Sequence, residues 1–392
     1  MSQPLPVSTI DLFTDETLRS PWEAYAELRA AGPAVWMEKG AFVAVSRYED
    51  VRAVLRDDRT FISGEGVALN DIANGQMKGT IIAADGEPHE VLRRVTSQSL
   101  SPRALRALGV EVQAQANDLI EDLVARGSFE CVSALSRRFP MTIVLHLIGV
   151  DDEGREKVLE WADNSFNLFG PLTAQRTIDA LQNIAGIFDY AERATRSGAL
   201  RPGSMGSAIH DAVASGAIRG DQAPGLLVAY LTGGLDTTIS SISQAVLLLA
   251  DNPEQWSKLR ADPTKIPGAY NEILRLQSPA HWFSRYAAED TVIGETAIAK
   301  GMRIVPLLAS ANRDERKWTD PEAFDIDRAP VDHVAFGYGP HGCAGQALAR
   351  LEVHALLTAL AARVARIEVG PPIYGVNNII HGLARLDTTL HA

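Results

Sequence analysis

The chain has 392 residues, 46% of them hydrophobic and 22% charged, an ordinary globular balance with enough apolar material to enclose a sizeable ligand. Its formal net charge of −12, from 49 acidic against 37 basic side chains, argues against nucleic acid or an anionic membrane as a general partner. Two cysteines, Cys131 and Cys343, make no disulfide framework and point to a reducing cytoplasm, and the opening stretch 1–13 lacks the basic and apolar segments of a secretory leader.

In chain order, a helix is predicted over 21–31, opened by Ser20 and Pro21. A hairpin then pairs 34–37 with 41–45 about Glu38-Lys39-Gly40. Residues 61–84, with four glycines and few periodic positions, read as a long loop, which is uncommon in a compact unit unless it serves function. Apolar residues at helical spacing predict helices near 86–99, 102–126, 138–148, 154–169, 175–197 and 221–252. The longest apolar stretch, 226–250, carries Asp236, two glycines and several hydroxyls, which makes it a poor membrane span. Helices at 253–261 and 266–276 follow, and alternation at 282–286 and 291–298 suggests a small sheet. Residues 310–342 are irregular, and a last helix covers 344–363. With no linker, repeat or low-complexity tract, the expectation is one mainly α unit with small β-sheets over 1–392.

The segment Phe336-Gly337-Tyr338-Gly339-Pro340-His341-Gly342-Cys343-Ala344-Gly345 holds four glycines and a proline in ten residues, so it cannot be a regular element. Such a backbone can pass close to a flat ligand and turn its N–H groups towards one sulfur. A helix beginning at Ala344 would point its positive end at that sulfur, favouring thiolate over thiol. By residue type alone, a lone cysteine is more often inert packing, which is the reading kept for Cys131 in its apolar setting. The full pattern Phe-Gly-x-Gly-x-His-x-Cys-x-Gly, however, resembles the cysteine-loop signature of the cytochromes P-450.

That resemblance extends along essentially the whole chain and implies a mainly α fold enclosing one haem b, with Cys343 as the iron ligand. A thiolate on iron promotes O–O cleavage. Glu272 and Arg275, at i and i+3 within apolar surroundings, match the family's structural Glu-x-x-Arg pair. Ala323 stands where many relatives carry an Arg, which leaves Arg328 or a backbone group as its replacement. Gly233-Gly234-Leu235-Asp236-Thr237-Thr238 resembles the oxygen-activation motif. Its glycines would let the helix bend over the cofactor, and Asp236 and Thr237 would deliver protons to dioxygen. The plain alternative is a kink with the Thr hydroxyl bonded one turn back. His89, Arg93, Arg285 and His341 match positions that hold the haem propionates.

For the substrate, Phe166-Asn167-Leu168-Phe169-Gly170-Pro171 resembles a stretch of bacterial cytochromes P-450 that oxidise para-substituted benzoic acids. Two aromatics at i and i+3 would share one helix face, with core packing as the bland alternative. Phe166, Phe169, Thr232 and Gly233 are the candidate substrate contacts. The Arg and Ser that hold a carboxylate in that group correspond here to positions near Gln76 and Gly79, and to Val228 and Ala229. A benzoate would therefore need another partner, such as Lys78 or His281, since an unpaired buried carboxylate is costly. The expectation is a small neutral aromatic, hydroxylated or O-demethylated with release of formaldehyde, and a terpenoid is the alternative.

No flavin or nicotinamide fingerprint is present, so electrons from NAD(P)H must come through separate proteins, a ferredoxin and its reductase. Arg93, Arg94, Arg103 and Arg106 would form a local basic surface for an acidic ferredoxin. A gas sensor or carrier would have no use for Asp236 and Thr237. A peroxide-using relative would replace that pair by Arg and Pro. A zinc site would need a second Cys at ligand spacing.

Overall fold

A computed structural model describes residues 5–392, the side chains of Pro102, Asp163 and Asn164 excepted; the first four residues of the leader reading lie outside the described residues. The architecture is mainly helical with small sheets. The predicted hairpin forms as Val35–Met37 against Phe42–Val45, with Val35 opposite Ala44 and Met37 opposite Phe42. Phe42–Val45 then runs parallel to Arg303–Pro306, so distant parts of the chain share one six-stranded sheet.

The alternation at 282–298 divides between two sheets. Arg285–Ala287 joins the large sheet, whereas Thr291–Ile293 and Thr296–Ile298 form a hairpin of their own about Gly294, at φ 56. Helices over Arg138–Ile148, Pro253–Ala261 and Ile266–Gln277 lie where periodicity put them. Three long predicted helices are broken. The first divides into Pro102–Arg106 and Gly109–Arg126, the second into Gln175–Asn183 and Ala185–Ser197. The third becomes Ala223–Gly233 and Asp236–Asp251. Where both halves bury apolar residues, the hydrophobic period runs through the break and cannot show it. The 61–84 stretch contains a short strand, Phe61–Ile62, and a helix, Asp71–Met77, capped by the Asn70 side chain accepting from Ala73 N at 2.8 Å. Tyr48–Arg56 and Met205–Ala214 are further helices that the periodicity reading did not register.

The irregular segment before the cysteine is held by a buried ionic knot. Arg275 donates Nε to Glu272 Oε2 (2.7 Å) and Nη2 to Oε1 (2.8 Å), and both side chains are fully buried. Arg275 also donates to the carbonyls of Asn312 (2.9 Å), Pro321 (2.7 Å) and Ala323 (3.1 Å). Arg328 donates Nε to Glu272 Oε1 at 3.0 Å. Arg328 and the Ala323 carbonyl thus take the place of the arginine absent at 323. Removing one partner of such a buried pair typically costs about 3–5 kcal/mol, because the other charge is left unpaired. Beneath the loop, the Gln346–Arg363 helix packs along Gly109–Arg126.

Candidate active site

The cysteine loop is closed by its own backbone: Cys343 N donates to Phe336 O at 2.7 Å, and Gly337 N to Val334 O at 2.8 Å. Gly339, at φ 73, passes so close to the next layer that a Cβ there would sit 2.4 Å from Leu55 O. The following helix begins at Gln346 with Gly345 as its N-cap, two residues later than the expected Ala344. The shift leaves the Gly345 and Gln346 N–H groups, orphans of the first turn, directed at the cysteine sulfur. Burial pushes the Cys343 thiol up, while those two N–H groups and the Arg93 guanidinium pull the other way. Cys343 keeps partial exposure although protein surrounds it, because its free side faces an internal cavity. Cys131 is different: burial, with the Glu130 carboxylate nearby, drives its thiol up to about 12, as suits an inert packing residue.

The cavity, about 360 Å³, reaches from Cys343 to the Phe166 and Phe169 rings. Four cationic or donor side chains gather near the cysteine. His89 and Arg93 lie one turn apart on Gly86–Ser99, and the His89 and His341 rings are 4.1 Å apart. Burial, with His341 and Arg93 nearby, lowers His89 to about 4. Burial likewise lowers Arg285 to about 10; it donates Nη1 to its neighbour's Ser284 O at 2.8 Å. His341 Nε2 is buried with no hydrogen-bond partner among the described residues, the Asp85 carboxylate being 3.8 Å away. Asp85 precedes its helix as expected, but its carboxylate accepts from Ser63 N (2.8 Å) and Gly64 N (2.6 Å). Burial would raise Asp85, yet His341 and those backbone donors hold it below its ordinary value.

The helix break falls beside this group. Gly233 has open space where a Cβ would point, whereas a Cβ on Gly234 would press on Tyr230 O (3.2 Å) and Val144 (3.3 Å). One glycine thus leaves room in the cavity and the other permits close packing. Thr232, Gly233, Thr237 and Thr238 line the cavity; Asp236, first residue of the next helix, is not among the lining residues. Thr237 Oγ1 donates to Gly233 O at 3.0 Å, the bond one turn back that the plain reading anticipated, while the residue still borders the cavity.

At the other end, Phe166, Phe169, Phe188 and Phe283 line the wall. The helix stops at Asn167, so Phe166 and Phe169 do not share a helix face; a turn instead sets their rings 6.2 Å apart and nearly parallel at 25°. Phe283 meets Phe169 edge-on at 5.5 Å. Neither alternative carboxylate partner reaches the cavity: Lys78 is exposed beside Glu65, and His281 is bonded to Tyr25 Oη at 2.9 Å outside it.

Phe188 and Phe283 were not anticipated in the sequence, nor was an acidic lining residue. Glu352, on Gln346–Arg363, is fully buried, with neither carboxylate oxygen hydrogen-bonded among the described residues, and burial pushes its carboxyl well above the ordinary range. The available signal was an acid amid the apolar positions Leu348, Val353 and Leu356 of one helix.

A family model, Cytochrome P-450, matches residues 225–363, which include the broken helix, the Glu272–Arg275 pair and the cysteine loop. The chain is 36% identical over 391 residues to Cytochrome p450 CYP199A2 of Rhodopseudomonas palustris, covering 98% of this chain and 95% of that protein. The chain belongs to the cytochrome P-450 family. It is also 29% identical to linalool 8-monooxygenase of Pseudomonas putida, covering 97% of each chain. The structure of cytochrome P-450 CREJ in complex with (4-ethylphenyl) dihydrogen phosphate superposes with a TM-score of 0.87 at 26% identity, over 100% of this chain and 99% of that one.

This P-450 is a monooxygenase whose cofactor is haem b. The side chains present fit that group. A sulfur faces the cavity, and the guanidinium groups of Arg285 and Arg93, with the imidazoles of His89 and His341, form a cluster of cations and hydrogen-bond donors suited to two carboxylates; His341 Nε2 has no partner among the described residues. Among the described residues, no helix is long and apolar enough to cross a membrane.

Proposed function

We propose that this P-450 oxidises a small, neutral aromatic compound by hydroxylation or by O-demethylation of a methoxyarene. The observation that carries the reading is the distribution of charge around the cavity. Among the described residues, its lining guanidinium groups, Arg93 and Arg285, and its lining imidazoles, His89 and His341, all belong to the cysteine-end cluster. The phenylalanine end offers only apolar groups and the hydroxyls of residues such as Thr80, Ser165 and Thr232. An anionic substrate would lie there uncompensated. The ligand of the CREJ structure is also a para-substituted aromatic ring, carried there as a phosphate ester.

Cys343 would hold the iron, and His89, Arg93, Arg285 and His341 the propionates. When bound, haem supplies activation of dioxygen with two electrons and two protons, one oxygen atom going to substrate and one to water. The chain's own part is positional. Phe166 and Phe169 press a planar ligand against Gly233, Thr237 Oγ1 holds a proton beside the open space that Gly233 leaves, and Asp236 supplies protons from behind it. Electrons would come from NAD(P)H through a ferredoxin reductase and an acidic ferredoxin. That ferredoxin docks on exposed Arg94, Arg103 and Arg106, whereas Arg93 is turned inward to the Gly342 carbonyl. Turnover with an acidic ferredoxin should weaken as salt rises.

The deciding experiment is a spin-state titration with 4-methylanisole, guaiacol, 4-methoxybenzoate and linalool in parallel. The two neutral aromatics should shift the spin state most tightly. A response to the benzoate alone, or to linalool alone, would overturn the substrate reading.

A further inference from the structure

The turn that carries the phenylalanine wall is bonded from outside at every carbonyl. Asn167 O accepts from Asn378 Nδ2 (2.7 Å), Leu168 O from Asn70 Nδ2 (2.8 Å), Phe169 O from Leu69 N (2.7 Å) and Gly170 O from Asn70 Nδ2 (2.9 Å). Asn378 returns a second link, its own N donating to Asn167 Oδ1 at 3.0 Å. Both asparagines are almost wholly buried and are themselves held. Asn70 Oδ1 caps the Asp71–Met77 helix, and Asn378 Nδ2 also reaches Thr177 Oγ1 at 2.9 Å while its carbonyl accepts from Trp282 Nε1 at 2.9 Å. The approach is so close that a Cβ at Gly170 would lie 2.1 Å from Asn378 Nδ2. A surface turn would give these carbonyls to water; here two side chains remote in sequence take them.

The loop on the other flank of the cavity is built differently. In 77–83 the bonds are local: Gly79 N to Ala83 O, Thr80 N to Met77 O and Ala83 N to Thr80 O, each 3.0 Å. Ile82 of that loop lines the cavity and is exposed. One wall of the cavity is therefore hydrogen-bonded to the rest of the molecule, whereas the backbone hydrogen bonds of the other, among the described residues, are local.

We propose that Asn70 and Asn378 are positioning residues for the substrate: by fixing the 167–170 turn they hold Phe166 and Phe169 in place before a ligand arrives, and so set the preference for small planar rings. The inference rests on the reading of those rings as the substrate wall. A pre-formed wall spares the ligand the cost of ordering it. A wall released from its asparagines can spread to admit bulkier ligands, at the expense of the small ring.

The test uses the haem-loaded full chain. Asn70→Ser keeps an oxygen to cap the Asp71–Met77 helix but deletes both donors to the turn. Hydrogen exchange in a peptide covering 166–171 should accelerate roughly tenfold, with 77–83 unchanged as the internal control. Spin-state affinity for 4-methylanisole should weaken by roughly tenfold, while that for linalool weakens less or improves. In a Phe169→Ala background, Asn70→Ser should weaken 4-methylanisole no further, because the ring it positions is gone. Unchanged exchange at 166–171, or the same affinity loss with and without the Phe169 ring, would overturn the proposal. If Asn70→Ser does not yield folded protein, Asn378→Ser makes an independent cut at Asn167 O and is judged by the same readouts. If the unaltered protein answers to none of the aromatic probes, the substrate reading fails, and exchange at 166–171 alone then decides whether the asparagines fix the wall.

Discussion

The two ends of the cavity are held in different ways. At the cysteine end, polar atoms point inward: the His341 Nε2, the guanidinium groups of Arg93 and Arg285, and the N–H groups of Gly345 and Gln346. At the phenylalanine end the polar atoms point away, since Asn70 and Asn378 serve the backbone behind the rings. The first arrangement leaves charge to be neutralised by what binds, and it fits a cofactor bearing two carboxylates. The second leaves shape alone to the ligand, so discrimination there comes from fit, where one methylene is worth only about 1–3 kcal/mol.

The largest expected effect breaks the cysteine end outright. Cys343→Ala should abolish turnover and remove the carbon monoxide difference band of the reduced protein near the position that names the family. An unchanged band in folded Cys343→Ala would mean that another side chain ligates the iron. Next in size is Arg285→Leu. A hydrogen bond to a charged group is worth about 1.5–3 kcal/mol, so haem should be lost about ten- to a hundredfold more readily to an apo-myoglobin trap. Affinity for neutral aromatics in the haem-loaded fraction should hold. If Arg285→Leu instead altered aromatic binding and left haem retention alone, the division between the two ends would be wrong.

What the sequence made legible was local. The cysteine loop depends on ten adjacent residues, the Phe42–Val45 hairpin on a short turn, and the Glu272–Arg275 pair on one helical turn. The cluster proposed to hold the propionates draws on three segments, and its residues could be named only through the resemblance to the family. What stayed hidden depends on distance in the chain. Asn378 reaches Asn167 across 211 positions and carries no mark of its own in the sequence, whereas Arg328, which reaches Glu272 across 56, was anticipated only through the resemblance, as one replacement for the arginine missing at 323. The break between Ala223–Gly233 and Asp236–Asp251 was signalled by its two glycines, but the breaks near 107 and 184 carry no comparable signal. Glu352 was hidden for the opposite reason: a single acid within a helix reads as a solvated position until its surroundings are known.

The smallest effects sharpen the boundary between the two ends, where a pair of threonines makes a controlled comparison. Thr232 Oγ1 donates to Val228 O, and Thr237 Oγ1 to Gly233 O, each at 3.0 Å and each one turn back. Both line the cavity. They differ in position along the broken helix: Thr232 belongs to the segment before the glycines and Thr237 to the one after, next to Asp236. If the bond one turn back were all that either hydroxyl did, Thr232→Val and Thr237→Ala would be equally mild. If Thr237 supplies a proton, only Thr237→Ala should lower the product formed per NAD(P)H consumed, by severalfold, with the electrons lost to hydrogen peroxide or water. Its spin-state affinity for 4-methylanisole should change by less than about threefold, since the hydroxyl is already satisfied within its own helix. Thr232→Val should change coupling and affinity by less than about twofold for the same reason. Equal coupling in the two variants would assign both threonines to packing and leave proton supply to other groups that border the cavity.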